Sequence, residues 1–269
     1  MGPRTGCQCH ISGRNWTLRA RSRGILLGRF DWGSSGASAI GTDAGVAIVV
    51  DVLSFTTTLS VAADRGIEVL PYRWNDDSAA QYAADHQAVL AVGRNEAVGD
   101  AVSLSPATVR SAQGLERLVL PSPNGSSIAH SLAATSGVCI GAALRNASAV
   151  AEWISDNHRD GTALSVIAAG ERWPDGTLRP AVEDLLGAGA ILAELVARRP
   201  DLALSPEAEI AAAAWHSVSD RLAAVLAQCA SGREFLAAGY ASDVAVAAEV
   251  NESRSVPVLD GHRFVDRGS

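Results

Sequence analysis

The sequence predicts a three-layer α/β/α fold with a largely parallel or mixed sheet, and three observations carry that prediction. Short apolar, β-branched runs such as Val46-Ala47-Ile48-Val49-Val50 show no polar alternation, as strands buried on both faces do. These runs alternate with stretches of helical pattern, the rhythm of strand-helix-strand units. Several of them empty into polar segments, which is where open α/β sheets assemble their sites.

Taken in order, residues 1–24 carry arginines at 4, 14, 19, 21 and 23 and no acid, the composition of a disordered basic tail or a non-native extension. The folded domain is therefore expected over residues 25–269, possibly built as two packed halves. The strand at 46–50 ends in Asp51, and the helix that follows Ser54-Phe55-Thr56-Thr57-Thr58 stops near Gly66. Strands are expected at 67–71, 88–93, 117–120, 138–142 and 164–170, with a helix at 76–85 and others opening near Ser126 and after Leu144-Arg145-Asn146-Ala147-Ser148. A long helix is expected from Pro180, with apolar residues at 182, 185, 186 and 190–193 marking its buried face. Residues 205–239 read as two or three helices. Residues 244–250 have no decided type, and Val256-Pro257-Val258-Leu259 reads as an edge strand because proline cannot donate to a ladder.

Composition narrows the function classes. A chain of 269 residues with 48% hydrophobic content can bury a large core, and a net charge of −7 disfavours nucleic acid and anionic membrane as partners. No apolar run has the length of a membrane span or a signal-peptide core, and the four cysteines form no disulfide framework, so a cytoplasmic protein is expected. Cys7-Gln8-Cys9-His10 has one-residue spacing and no second ligand pair, which makes it a poor zinc motif.

The segment from Gly170 to Asp184 is the richest in chemistry. Glu171, Asp175, Glu183 and Asp184 supply carboxylates and Arg172 and Arg179 supply cationic forks, the two kinds of group that metal-assisted work on an anionic substrate requires. The plainer interpretation is that first-turn acids complement the helix dipole. Ser54 to Thr58 and Asn124-Gly125-Ser126-Ser127 each precede a helix and offer hydroxyls and amides to an oxyanion, or simply cap those helices. A phosphoaspartate mechanism of the haloacid-dehalogenase type needs a second Asp two residues after Asp51, where Leu53 stands. No G-x-S-x-G elbow, P-loop or G-x-G-x-x-G fingerprint is present.

The ordered set Val50-Asp51-Val52-Leu53-Ser54-Phe55-Thr56-Thr57, Ser105-Pro106, Pro123-Asn124-Gly125-Ser126, Leu144-Arg145-Asn146-Ala147-Ser148 and Glu183-Asp184-Leu185-Leu186-Gly187-Ala188-Gly189-Ala190 resembles the 2-phosphosulfolactate phosphatase family, also called ComB-like, over residues 45–260. That resemblance implies a cytoplasmic, homodimeric, Mg2+-dependent phosphatase that hydrolyses the small-molecule phosphate monoester 2-phospho-3-sulfolactate, a step of coenzyme M biosynthesis. It implies Asp51, Glu183 and Asp184 as magnesium ligands, with Asp51, Glu171 and Glu183 in catalysis. Thr56, Thr57, Asn124, Gly125 and Ser126 become the expected phosphate cradle, Ser54 a further substrate-binding residue, and Arg145, Asn146 and Glu171 are expected to line the pocket. The family pattern carries an arginine where this chain has Ser54 and a small residue where it has Phe55. Arg172, Arg179 or Arg145 are the candidates to replace the missing cation. A phosphatase with another substrate, a protein that binds an organic phosphate or sulfonate without turnover, and a purely structural domain stay open at this point.

Overall fold

A computed structural model describes residues 27–73, 77–99, 101–158 and 161–268. The arginine-rich segment and the Cys7-Gln8-Cys9-His10 motif lie outside the described residues. The first half of the chain runs β1 (Leu27–Trp32), α1 (Gly33–Gly36), β2 (Val46–Val50), α2 (Phe55–Asp64), β3 (Glu68–Tyr72), α3 (Asp77–Asp85), β4 (Val89–Leu90), α4 (Pro106–Ser111), β5 (Arg117–Pro121) and α5 (Gly125–Ala133). The second half runs β6 (Val138–Ala142), α6 (Ala147–Asn157), β7 (Leu164–Ala168), β8 (Glu171–Arg172), β9 (Leu178–Arg179), α7 (Val182–Arg198), β10 (Ala203–Leu204), α8 (Pro206–His216), α9 (Leu222–Gln228), α10 (Ala230–Ala237), α11 (Ala241–Ala247), β11 (Pro257–Asp260) and β12 (Arg263–Asp266).

Ten strands form one mixed sheet in the order β10-β1-β7-β2-β6-β11-β12-β3-β5-β4. One parallel block holds β10, β1, β7, β2 and β6, and a second holds β3, β5 and β4. The antiparallel β11–β12 hairpin joins them, with Val258 opposite Ile140 on one side and Phe264 opposite Val69 on the other.

The apolar runs form strands because both of their faces are covered. In β2, Val46, Ile48 and Val50 pack into one core with Ile154 of α6 and Leu186, Ile191 and Leu195 of α7. Ala47 and Val49 point the other way, into a second core with Leu59 of α2 and Ile128 and Leu132 of α5. A side-chain period of two thus feeds two separate cores, which is the physical meaning of an unbroken hydrophobic run and makes the fold a three-layer one.

Three sequence expectations are corrected here. The segment holding Pro257 is not an edge strand: β11 lies inside the sheet between β6 and β12, and proline is tolerated because it is the first residue of the strand. Pro180 does not open α7, which starts at Val182 with Ala181 as its N-cap. Residues 170–180 are not plain loop, since β8 and β9 pair antiparallel, with Glu171 opposite Arg179. The undecided stretch near 244–250 is mostly helix α11.

Candidate active site

β2 delivers Asp51 to the end of the sheet, and the next turns are tied down by side chains. The Asp51 amide donates to Thr56 Oγ1 at 2.9 Å, the same hydroxyl donates back to the Asp51 carbonyl at 2.8 Å, and Thr57 Oγ1 donates to the Val52 carbonyl at 2.7 Å. Thr56 and Thr57 are fully buried, so the hydroxyls expected in a phosphate cradle are engaged in shaping the loop. Ser126 is likewise buried and donates to the Leu120 carbonyl at 3.0 Å.

The Asp51 carboxylate spans two elements. Its Oδ1 accepts from the Phe55 amide at 3.2 Å and its Oδ2 from the Gly125 amide at 3.0 Å, so the end of β5 is bound to the end of β2. Glycine is required for that approach: a Cβ at 125 would sit 2.3 Å from Phe55 Cδ1 and 2.7 Å from Asp51 Oδ2.

Glu183 and Asp184 are buried at the start of α7, which ordinary dipole complementation would not require. Their roles divide. Asp184 accepts from the Val52 amide at 2.7 Å and the Gly170 amide at 2.8 Å, using one oxygen each, and so clips the ends of β2 and β7 together. Gly170 takes φ +66°, where a Cβ would meet Leu178 Cδ1 at 2.7 Å. Glu183 is close enough to help raise the carboxyls of Asp51, Glu171 and Asp184 and the thiol of Cys229.

Glu171 completes the cluster, accepting from Asn124 Nδ2 at 3.1 Å, while Asn124 Oδ1 accepts from Arg172 Nε at 3.3 Å. Burial, then the charges of Asp51 and Glu183, push the Glu171 carboxyl up to about 7 against the opposing pull of Arg179 and Asn124. Burial pushes Asp51 up to about 6, and the Phe55 and Gly125 amides hold it back from going higher. Asp184 is raised for the same primary reason, burial, followed by its acidic neighbours.

Asn124 and Glu171 separate two hollows. One, of about 180 Å³, lies between Asp51, Ser54, Arg94, Leu104 and Phe235. The other, of about 360 Å³, is bounded by Trp32, Ser34, Ser35, Arg172 and Thr177.

The cations are placed differently from expectation. Arg145 is not brought to the cleft: its side chain is 5% exposed, and it bonds Ser60, Asp64 and Glu249 at 3.0 Å each. Asn146 is fully buried, accepting from the Ala143 amide at 2.8 Å and donating to the Ser255 carbonyl at 3.1 Å. Both hold the β6–α6 junction to the chain before β11. Arg179 forms a two-pronged pair with Glu234 of α10 at 2.9 and 3.0 Å and lies over Trp173, while Arg172 is exposed on the wider hollow. The cation that stands beside Ser54 is Arg94, which no motif marked. Its only sequence signal is its place just after the strand expected at 88–93, of which Val89–Leu90 forms β4.

Among the described residues, no three His, Cys, Asp or Glu side chains stand in metal-coordinating geometry. Magnesium keeps several waters and takes one or two carboxylates. The mutually repelling, buried carboxylates of Asp51 and Glu183 fit that demand, and Asp184, whose two oxygens each accept one backbone amide as those of Asp51 do, is a third acid of the same cluster. The arrangement can therefore hold a divalent cation beside Asp51, and it can hold or release a proton at Glu171 near neutral pH.

Comparison with known proteins identifies the family. A family model described as 2-phosphosulpholactate phosphatase matches residues 37–262. A probable 2-phosphosulfolactate phosphatase of Thermus thermophilus is 31% identical over 219 residues, 80% of this chain and 88% of the relative. The 2-phosphosulfolactate phosphatase of Methanothermobacter thermautotrophicus is 28% identical over 220 residues, 82% of this chain and 89% of the relative. A probable 2-phosphosulfolactate phosphatase of Deinococcus radiodurans is 30% identical over 218 residues, 80% of this chain and 87% of the relative.

Proposed function

The chain belongs to the 2-phosphosulfolactate phosphatase family, a family of phosphatases, and from that premise we propose that it hydrolyses 2-phospho-3-sulfolactate to 3-sulfolactate and phosphate with the help of magnesium. The observation that carries the proposal is the convergence of acids from separate elements: Asp51 after β2 and Glu171 after β7 line one cleft, and Glu183, buried at the start of α7, raises the carboxyls of both. A structural cluster of acids would be neutralised by adjacent bases. Here the arginines that act on Asp51 and Glu171 are each paired with another acid, Arg94 with Asp243 and Arg179 with Glu234.

In this proposal Asp51 and Glu183 hold the metal, and bound magnesium supplies Lewis-acid polarisation of a phosphoryl oxygen. The amides of Phe55 and Gly125 keep the Asp51 carboxylate pointed into the cleft. Glu171, with its carboxyl pushed up to about 7, exchanges a proton with water or with the departing alkoxide oxygen. Asn124 orients Glu171, and in turn is steered by Arg172. Ser54 and Asn124 remain as cleft-lining contacts for substrate, whereas Thr56, Thr57 and Ser126 act on the loop backbone.

One observation favours a second reading, a binder without turnover: the Gly125 amide is directed at Asp51 and not into open space. Incubation with 2-phospho-3-sulfolactate and a panel of other phosphomonoesters, with magnesium or with chelator, separates the two. Magnesium-dependent phosphate release selective for phosphosulfolactate is expected, release from another ester would change the substrate, and binding without release would favour the second reading. The same proposal takes the enzyme as a cytoplasmic homodimer serving coenzyme M synthesis, and light scattering checks the dimer. Among the described residues no helix is long and apolar enough to cross a membrane.

A further inference from the structure

Arg94 belongs to no motif, yet it is among the most firmly held cations next to the cleft. Its Nε donates to Asp243 Oδ2 at 2.9 Å, and its Nη2 donates to the Leu104 carbonyl at 3.1 Å and to Ser54 Oγ. Its guanidinium carbon lies 4.7 Å from the centre of the Phe235 ring. Asp243 is fully buried and accepts a further hydrogen bond from Ser105, so the anchor is itself anchored. The guanidinium plane is thus set by four elements that converge on it: the β4–α4 connection, the start of α2, α10 and α11.

A purely structural ion pair would close the group off from the cleft. Arg94 instead lines the smaller hollow with its side chain 16% exposed, and among the described residues its Nη1 makes no hydrogen bond. The same hollow is lined by the acids Asp51 and Glu171. A phosphate ester that carries a second oxyanion and presents its phosphoryl group to the metal-binding carboxylates needs a cation for its other end. Arginine supplies a forked donor that suits a carboxylate or a sulfonate equally. Ser54, small and bonded to Arg94, lines the same hollow as Asp51, and Arg172, exposed on the other hollow, is not held in one orientation by any buried partner.

We infer that Arg94 is a specificity-determining residue: preorganised by Asp243, Leu104, Ser54 and Phe235, it receives a non-reacting oxyanion of the substrate, while the phosphoryl group sits at the Asp51 side. This inference rests on the phosphatase reading for the orientation of the substrate, but its test does not depend on turnover.

Calorimetric titration of the full chain with 3-sulfolactate, lactate and inorganic phosphate, for wild type, Arg94→Ala, Arg94→Lys and Arg267→Ala, provides that test. Arg94→Ala is expected to weaken 3-sulfolactate about ten-fold or more and to leave inorganic phosphate within about two-fold. Arg94→Lys keeps the charge beside Asp243, and with it the fold. It is expected to fall between Arg94→Ala and wild type, and it carries the comparison if Arg94→Ala does not fold. Arg267→Ala, at a surface ion pair with Asp260 far from both hollows, should leave 3-sulfolactate within about two-fold. A loss on lactate equal to that on 3-sulfolactate identifies the carboxylate as the group received, and a loss on 3-sulfolactate alone identifies the sulfonate. Equal loss of 3-sulfolactate and phosphate, unchanged 3-sulfolactate affinity in both Arg94 variants, or no binding of 3-sulfolactate by wild type would overturn the inference. A wild-type protein that binds 3-sulfolactate but releases no phosphate from its ester would sink the phosphatase reading and leave the role of Arg94 standing.

Discussion

Two charged clusters in this molecule are built from the same residue types to opposite ends. Around Arg145, the carboxylates of Asp64 and Glu249 are matched by Arg145 and Arg110, and Ser60, Ser253 and Ser255 take up the remaining oxygens and protons. The Glu249 carboxyl is accordingly held below its usual range, chiefly by its bond to Arg110. At the cleft, Asp51, Glu171, Glu183 and Asp184 are brought together with too few cations, and burial with mutual repulsion raises Asp51 and Glu171 instead. A balanced network is a joint, whereas an unbalanced one that water can reach is a place to bind a cation or move a proton.

The sharpest way to break that contrast is to neutralise the acid at the end of β2. Asp51→Asn should lower phosphate release on the order of 10³-fold, because it removes the proposed metal ligand, while the melting temperature at pH 7.5 changes little, since the relief of repulsion is offset by the loss of one of the two amide bonds from Phe55 and Gly125. A variant that keeps full turnover would show that the cluster is structural after all. Glu171→Gln should cost about 10²-fold in kcat and abolish the limb near pH 7 in the pH–rate profile. If that limb persists, the proton is handled elsewhere.

The balanced cluster should respond in the opposite currency. Arg145→Met is expected to destabilise the fold by about 2 kcal/mol, less than a fully buried pair would lose because Asp64 and Glu249 remain partly exposed, with kcat per folded molecule unchanged. Urea denaturation alongside active-site titration distinguishes the two effects. A fall in kcat without loss of stability would put Arg145 back among the candidates for substrate contact.

The smallest expected effect is on the pH dependence of stability. The carboxyls of Asp51 and Glu171 take up protons more readily folded than unfolded, so the folded state binds extra protons between about pH 4 and 7. Their contribution to stability is full below the unfolded values and is lost as pH rises through about 6 and 7. Without divalent cations the melting temperature should therefore fall by a few degrees, about 2–4 °C per kcal/mol, between pH 5 and 8. Magnesium should restore more at pH 8 than at pH 5, and Asp51→Asn should flatten both slopes. A melting temperature that climbs over this range in chelator would show that other groups dominate.

The strands β2, β6 and β7 were legible in advance because apolar, β-branched runs report burial on both faces wherever they occur. Strand β1 was not picked out, since Leu27-Gly28-Arg29-Phe30-Asp31-Trp32 mixes charge and glycine with its apolar residues. Pro257 misled for a related reason: a missing donor suggests an edge, but it is also tolerated at the first position of an interior strand.

By itself, the sequence determined the layered α/β architecture, the family, and the acids that could meet at strand ends, because hydrophobic period and motif order are properties of neighbouring residues. Only the tertiary structure decided what each polar group does. It turned Asp184 into a clip between β2 and β7, buried Thr56 and Thr57 in their own loop, drew Arg145 into a closed network, and set Arg94 beside Ser54 and Asp243, 40 and 149 residues away along the chain. The reason is physical: a buried polar side chain must find its partner where sheet order brings one, and that order joins segments that no local pattern relates.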